Sequence, residues 1–283
     1  MSGSYWKQVV ERGFGVPADR PLDDLTAELT RMLGSTDPRL RDETAYPALA
    51  TWTDRGVYDD LLSGLGDGMA AGLDVGLGEQ GTDTVFRRSF SVLILGECVA
   101  RDNSAGGLVP PDKLLEWGDH IATWYLREKD LRGYVPGKGW AHAVAHGADA
   151  LGTLAESPHL RTPELTVILD VIADRLTLPV DALFSHGEPD RMAAATMSVL
   201  RRNLVPLRVL EPWVARVAGA ALRRRQEADQ DPFLLTGNAQ AFLRALYLQL
   251  ALAPRPPEAR SDLLLVLVDS LKRTNRHYLA PTP

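Results

Sequence analysis

The chain has 283 residues and a formal net charge of −6, with 45% hydrophobic and 24% charged residues. This composition is that of a globular protein, and its acidic balance disfavours a protein that wraps nucleic acid. Cys98 is the single cysteine, which excludes an internal disulfide and any multi-cysteine zinc site.

The sequence contains no segment typical of a membrane span or a signal peptide. Its longest aliphatic run, Leu263 to Val268, is far shorter than a bilayer requires. The first thirteen residues lack the basic and then apolar pattern of a secretory signal. We therefore expect a soluble, cytoplasmic protein without a membrane partner.

Apolar residues recur at three- and four-residue spacing along most of the chain, which predicts helices. Residues 162–176 and 238–252 show this pattern clearly, and no segment alternates like a half-buried strand. Asp37 and Thr162 each precede a proline, as capping residues do at a helix start. The sequence predicts an all-α fold of about eleven to thirteen helices and no sheet.

Five segments share one design, in which a capping or breaking cluster is followed by a polar residue and then by aliphatics. Aligning their polar residues gives spacings of 47, 54, 49 and 49 residues, at Arg41, Arg88, His142, Arg191 and Gln240. That period predicts a HEAT-like α-solenoid of about five helical-hairpin repeats, with 1–283 as a single superhelical domain and 1–30 as its N-terminal cap. A non-repetitive helical bundle is the alternative.

Two resemblances accompany this pattern. The segment DPRLRDETAYPALATW, residues 37–52, resembles HEAT-like repeats, in which an Asp-Pro turn precedes an arginine and a hydrophobic helix. Residues 132–151, RGYVPGKGWAHAVAHGADAL, resemble the hallmark of a bacterial family of unknown function, as do shorter stretches at 186–193, 242–250 and 277–279. The resemblance covers most of the chain and implies no activity.

The segment 139–154 is predicted to be a two-faced helix. On a helical wheel His142, His146 and Asp149 fall within about 60° of one another. The opposite side carries Trp140, Val144, Ala148 and Leu151. We expect the polar face to point into a groove or into solvent.

This histidine pair is open to three interpretations. His142 and His146 could act as acid and base with Asp149 beside them, or hold a divalent metal with Asp149 or His186 as third ligand. They could also brace adjacent repeats through hydrogen bonds. A zinc-protease motif is disfavoured, because Ala143 rather than glutamate follows His142.

The preceding loop, GYVPGKG, carries three glycines and Lys138. A glycine-rich loop that enters a helix N-terminus can receive an anion. Its spacing does not match a nucleotide-binding P-loop. The alternative is a tight turn that positions Trp140.

Other polar residues fall at equivalent wheel positions or beside the groove. If the repeats stack in register, they line one concavity together with Lys138 and Trp140. They are Glu97, Arg101, Arg127, His186, Glu188, Arg191, Arg244 and Tyr247. A ladder of salt bridges between repeats would explain the same charges. The aromatic stripe Trp117, Trp124 and Tyr125 is expected to be core packing.

These patterns predict an enzyme that uses histidine acid–base chemistry on a polar or anionic small molecule. A divalent metal is the one candidate cofactor. A HEAT-like protein-interaction scaffold is the main alternative. A DNA-glycosylase-like protein is disfavoured, because the longest basic cluster, residues 223–225, is followed by Glu227 and Asp229.

Overall fold

The structure, a computed structural model, describes residues 2–223 and 231–279. The basic cluster 223–225 therefore lies mostly outside the described residues, together with Glu227 and Asp229. The chain divides into two compact units, residues 1–150 and 151–283. Each unit is almost entirely helical, which confirms the predicted all-α class.

The first unit contains the following helices, numbered in chain order. They are α1 (Ser2–Glu11), α2 (Leu22–Met32), α3 (Pro38–Leu40), α4 (Tyr46–Asp54), α5 (Leu62–Gly72), α6 (Thr84–Ala105), α7 (Pro111–Arg127) and the start of α8 (Ala143–Ala155). A π-helical turn, Arg41–Ala45, joins α3 to α4, and a short 3₁₀ turn, Asp59–Leu61, precedes α5.

Helix α6 is the centre of the first unit. It packs against α4 on one side and α5 on the other, and α5 also contacts α7. The core is rich in aromatic residues, with Trp6, Trp52 and Phe86 fully buried. Trp117, Trp124 and Tyr125 are at most 1% exposed, so the predicted assignment of this stripe to the core is confirmed.

The second unit holds the remaining helices. They are α9 (Thr162–Thr177), α10 (Glu188–Arg201), α11 (Leu207–Ala220), α12 (Pro232–Leu252), α13 (Arg260–Thr274) and α14 (Arg276–Leu279). Helix α9 packs against α10 and α11, α10 packs against α12, and α13 packs against α11 and α12. Helices α11 and α12 also contact each other.

Helix starts follow the predicted capping chemistry in part. The Asp37 carboxylate accepts a hydrogen bond from the Arg39 backbone N–H at 3.0 Å, with Pro38 in the first turn of α3. At α9 the prediction was displaced by one residue. Thr162 is the first helical residue, and the Glu164 carboxylate instead accepts from the backbone N–H of Arg161 at 2.8 Å.

The expectation of no sheet was wrong at one place. Two short strands, β1 (Tyr134–Val135) and β2 (Gly139–Trp140), pair antiparallel, with Tyr134 opposite Trp140. The cause is a tight turn. The Lys138 N–H donates to the Val135 carbonyl at 2.9 Å, with Pro136 and then Gly137 at φ +76° in the two central positions.

The helix predicted from Gly139 therefore begins later, at Ala143. Gly139 has φ +80° and His142 has φ +50°, and neither conformation continues a right-handed helix. No helix within the described ranges is long and apolar enough to cross a bilayer.

Candidate functional site

The hairpin formed by β1 and β2, residues 134–140, presents two aromatic side chains. Tyr134 and Trp140 face each other across the strands, with ring centroids 5.1 Å apart and planes at 77°. Tyr134 is 50% exposed and Trp140 is 40% exposed. Both rings therefore lie at the surface and outside the core.

His142 is held by this hairpin. Its backbone N–H donates to the Arg132 carbonyl at 3.0 Å, and its ring stacks on the Trp140 indole with centroids 4.4 Å apart and planes at 20°. The left-handed backbone of His142 costs on the order of 1 kcal/mol for a residue other than glycine. The fold therefore supports a mildly strained histidine, and such strain is frequent at functional sites.

His146 lies one turn further, inside α8. Its ring Nδ1 is 3.2 Å from the Ser89 carbonyl oxygen, and the ring meets Phe90 edge to face at 5.1 Å. Because a carbonyl oxygen only accepts, this contact assigns the proton to Nδ1. The His142 and His146 rings lie 5.6 Å apart at 74°. His146 is only 7% exposed, so it is a buried neighbour of His142 and does not project into solvent.

The predicted two-faced character of α8 holds for part of its length. Val144, Ala148 and Leu151 are buried, whereas Asp149 is partly exposed. Trp140, which the wheel placed on the apolar side, instead stacks on His142, because it belongs to the hairpin and not to the helix.

Glycine lets α8 lie close to α7. A Cβ on Gly147 would stand 2.4 Å from the Tyr125 ring, which real side chains do not allow. The Tyr125 hydroxyl donates to the Val144 carbonyl at 3.1 Å. This contact fixes α8 against α7 and so fixes the position of the histidine pair.

Glu97 takes part in a neighbouring polar contact. The Tyr46 hydroxyl donates to Glu97 Oε1 at 3.0 Å, and the Tyr46 ring lies 6.2 Å from Phe90, which also contacts His146. Burial raises the pKa of the Glu97 carboxyl, and the hydrogen bond from Tyr46 opposes this effect in part. The Tyr46 and Phe90 rings lie between Glu97 and His146, so Glu97 is a packed neighbour of the histidine pair and not a hydrogen-bond partner in these contacts.

Two of the expected cationic residues are neutralised by carboxylates. Lys138 Nζ contacts both oxygens of Asp83, at 2.6 and 2.8 Å. Arg101 forms a bidentate pair with Asp59, at 2.8 and 2.7 Å. The positive charge of each side chain is thus already compensated by a carboxylate. Arg127 ends α7 and is exposed.

Two of the residues aligned in the repeat pattern face the core and do not line a groove. Arg88 is fully buried and forms a bidentate pair with Glu128, at 2.6 and 2.9 Å. Its third nitrogen donates to the carbonyls of Val75 and Gly76 at 2.8 and 2.9 Å. Arg41 is equally buried. In these two predicted repeats, the aligned arginine is therefore a buried side chain that holds neighbouring segments together.

The second unit brings His186 and Glu188 together. The Glu188 carboxylate, 1% exposed at the start of α10, accepts from the His186 backbone N–H at 2.7 Å. The His186 ring Nδ1 is 4.0 Å from the other carboxylate oxygen. His186 itself is partly exposed, and the Ser185 hydroxyl lies 3.2 Å from the same ring nitrogen.

The other predicted residues of the second unit are on α10 and α12. Arg191 is exposed in the first turn of α10. On α12, Arg244 Nη2 donates to the Asn275 side-chain oxygen at 2.5 Å, and Tyr247 is 36% exposed. That these residues line one groove with His142 stays a prediction.

The metal interpretation finds no complete ligand set. Within residues 2–223 and 231–279, no three or more His, Cys, Asp or Glu side chains converge as a metal site would require. His142 and His146 would need further ligands from outside the described chain.

The sequence alone missed four contributors to this cluster. Tyr134, Tyr46 and Phe90 were not singled out, and Ser89 contributes only a backbone carbonyl. The Val-Pro-Gly-Lys turn could have identified Tyr134, because it places that residue opposite Trp140. Nothing in the sequence places Tyr46 beside Glu97.

Comparison with known proteins gives one match. No curated protein and no solved structure matches the chain. A family described as "Protein of unknown function (DUF2785)" matches residues 73–248, which is more than half of the chain. The matched range contains the hairpin, the histidine pair and every other residue predicted for the site, whereas Arg41 and Tyr46 precede it. The chain belongs to the DUF2785 family.

Proposed function

We propose that this protein is an enzyme acting on a polar small molecule, with His142 as the residue that transfers a proton. The observation that carries the proposal is the position of His142. It adopts a left-handed backbone between the half-exposed Trp140 and the buried His146. A histidine that served only as a brace would have no need of an open aromatic partner.

The chemistry follows from the surroundings of the two rings. Imidazole titrates near neutral pH, at about 6.5 when unperturbed, and can donate and accept protons in one cycle. His146 has its Nδ1 proton directed at the Ser89 carbonyl, which fixes the tautomer and ring orientation. His146 therefore supports His142, and the two imidazoles carry the proposed proton transfer. Asp149 is a partly exposed carboxylate of the same helix, α8.

The ligand we propose is polar and need not be strongly anionic. Lys138, which was expected to receive an anion, already pairs with Asp83, and Arg101 pairs with Asp59. Trp140 and Tyr134 offer an apolar edge on which a ring or carbon skeleton could rest. A metal is not part of the proposal. The cytoplasmic location stays a prediction from the sequence.

The HEAT-like solenoid is the architecture we propose for these helices. Its support is the sequence separation of side-chain hydrogen bonds within each unit. The Trp213 ring N–H donates to the Leu169 carbonyl 44 residues away, and Trp117 donates to Asp67, 50 residues away. Such separations are close to the period of about 49 residues and are what contact between equivalent helices of adjacent repeats produces.

A protein-interaction scaffold is the second candidate. Its support is a set of exposed apolar side chains on the last helices, Leu248 and Leu252 of α12 and Leu265 of α13, which are 53%, 72% and 72% exposed. Exposed apolar patches are frequent at protein interfaces. The two candidates involve different parts of the chain and can be tested separately.

The experiment is a thermal-shift screen of polar metabolites on the intact protein. We expect at least one compound to raise the melting temperature by several degrees, and the shift to disappear in His142→Gln. His120→Gln, in α7, is the matched control and should keep the shift. If no compound shifts the melting temperature and His142→Gln alone destabilises the protein strongly, His142 is a brace and the scaffold should replace the enzyme.

A further inference from the structure

The buried side chain of Arg41 connects the hairpin, residues 134–140, to the core of the first unit. It lies at the start of the π-helical turn between α3 and α4 and is fully buried. Its Nη2 donates to the Lys138 carbonyl at 2.6 Å, which lies in the turn of the hairpin. Its Nη1 donates to the Ser35 carbonyl at 2.6 Å. One guanidinium thus connects the Ser35 carbonyl to the hairpin, and Lys138 of the hairpin is 97 residues from Arg41 in sequence.

The same guanidinium also contacts one carboxylate and two aromatic rings. It pairs with Asp42 at 2.7 Å and lies over the Phe86 and Phe90 rings, 4.2 and 5.0 Å from their centroids. Phe90 in turn contacts the His146 ring at 5.1 Å. Arg41 is therefore in contact with the supports of both histidines.

Gly139 shows how closely the hairpin fits onto Arg41. A Cβ at this position would stand 2.9 Å from Arg41 Nη2 and 3.1 Å from the Pro38 Cβ. Gly139 also has φ +80°, which other residues rarely adopt. Trp140 follows directly, so any shift of Gly139 away from Arg41 moves the indole on which His142 stacks.

We propose that Arg41 is a positioning residue of this site. Its contact with the hairpin holds Trp140 where the indole stacks on the His142 ring. This role requires the planar guanidinium of arginine, because the group donates to two backbone carbonyls while it lies over two phenylalanine rings. Lysine has the charge but neither the plane nor the separated donors. Arg41 also lies outside the range that the family comparison matched, so this role was not visible from that match.

The inference rests on the proposed function in treating His142 as the reacting group, but its test needs no ligand. A protonated imidazole quenches the fluorescence of an indole stacked on it. The emission of Trp140 should therefore fall as His142 takes up a proton, and the amplitude of that change reports the stacking. The protein has six tryptophans, so the contribution of Trp140 is obtained as the difference from Trp140→Phe.

The amplitude is measured from about pH 8 to about pH 5 in the intact protein and in three variants, each with and without Trp140→Phe. We expect Arg41→Lys and Gly139→Ala to reduce it at least about two-fold while the circular dichroism of the helices is retained. Arg39→Lys is the matched control, because Arg39 is exposed and pairs with Asp37, and it should keep the full amplitude.

An unchanged amplitude in folded Arg41→Lys would overturn the inference. If Arg41→Lys fails to fold, Gly139→Ala decides in the same way, because it keeps the arginine and forces its Nη2 and the backbone of residue 139 apart. A normal titration without any ligand shift in the metabolite screen would remove the proposed function and leave the role of Arg41 intact.

Discussion

The imidazole of His142 is stacked on the indole of Trp140, with their centroids 4.4 Å apart and their planes only 20° from parallel. One partner is 40% exposed and the other has a left-handed backbone. The pair lies between the solvent, which Trp140 contacts, and the buried core of the first unit, to which His146 belongs.

Trp140 fluorescence should be sensitive to the protonation of His142. As the pH falls from about 8 to about 5, we expect the emission of Trp140 to decrease in one step. His142→Gln should remove the step, whereas His277→Gln, in α14, should leave it unchanged. A step that persists in His142→Gln would mean that another group quenches Trp140.

Substitutions at His142 should follow the tolerance of each residue for φ +50°. Asparagine populates this conformation readily, alanine less so, and a β-branched residue hardly at all. We expect the free energy of unfolding to fall in the order Asn, Ala, Val, with a difference of about 1–2 kcal/mol between the first and the last. Urea unfolding measures it. If valine is as stable as asparagine, His142 does not hold a left-handed backbone.

Glu97 should make stability depend on pH in a defined direction. Its pKa is raised by burial in the folded state, so the folded protein binds the proton more tightly than the unfolded chain does. Its contribution to stability is therefore present at low pH and is lost as the pH rises through the folded pKa. Glu97→Gln should become more stable relative to the natural protein between about pH 4 and pH 7.

The control for this prediction is Glu116→Gln, because Glu116 is exposed on α7 and pairs with Lys113. It should not gain stability relative to the natural protein as the pH rises. Parallel pH profiles for Glu97→Gln and the natural protein would show that Glu97 does not carry the dependence. Denaturant unfolding at several pH values measures all three proteins.

The buried pair Arg88–Glu128 should be costly to break from either side. Both side chains are at most 2% exposed, and their ion pair is bidentate. Removing one partner leaves a buried charge uncompensated, which costs about 3–5 kcal/mol. We expect Arg88→Met and Glu128→Leu each to lose stability of this order, and the double variant to lose less than their sum. Additive losses would show that the charges do not stabilise each other.

The sequence predicted helices well and tertiary placement poorly. Apolar periodicity is local, so the helices and the core position of Trp117 follow from it. The hairpin was missed because two-residue strands leave no periodicity and depend on the turn at Pro136 and Gly137. His142 and His146 were found as a pair, since four-residue spacing is visible in a sequence.

The environment of charged residues could not be predicted in the same way. Arg88, Lys138 and Arg101 look alike in a sequence, yet the first is fully buried and all three are neutralised by carboxylates 40 or more residues away. Such partners depend on how distant helices pack. Burial of a paired charge is set by tertiary contacts that no local pattern contains.

The contact between Gly147 and the Tyr125 ring has a consequence for motion. The Tyr125 ring is 1% exposed and lies so close to Gly147 that a side chain at residue 147 would overlap it. Because the ring is packed this tightly, it can flip only when α7 and α8 separate briefly. The two edges of the Tyr125 ring should therefore give separate NMR signals at low temperature. The rate at which these two signals exchange would measure how often α7 and α8 separate, and with them the segment that carries the histidines.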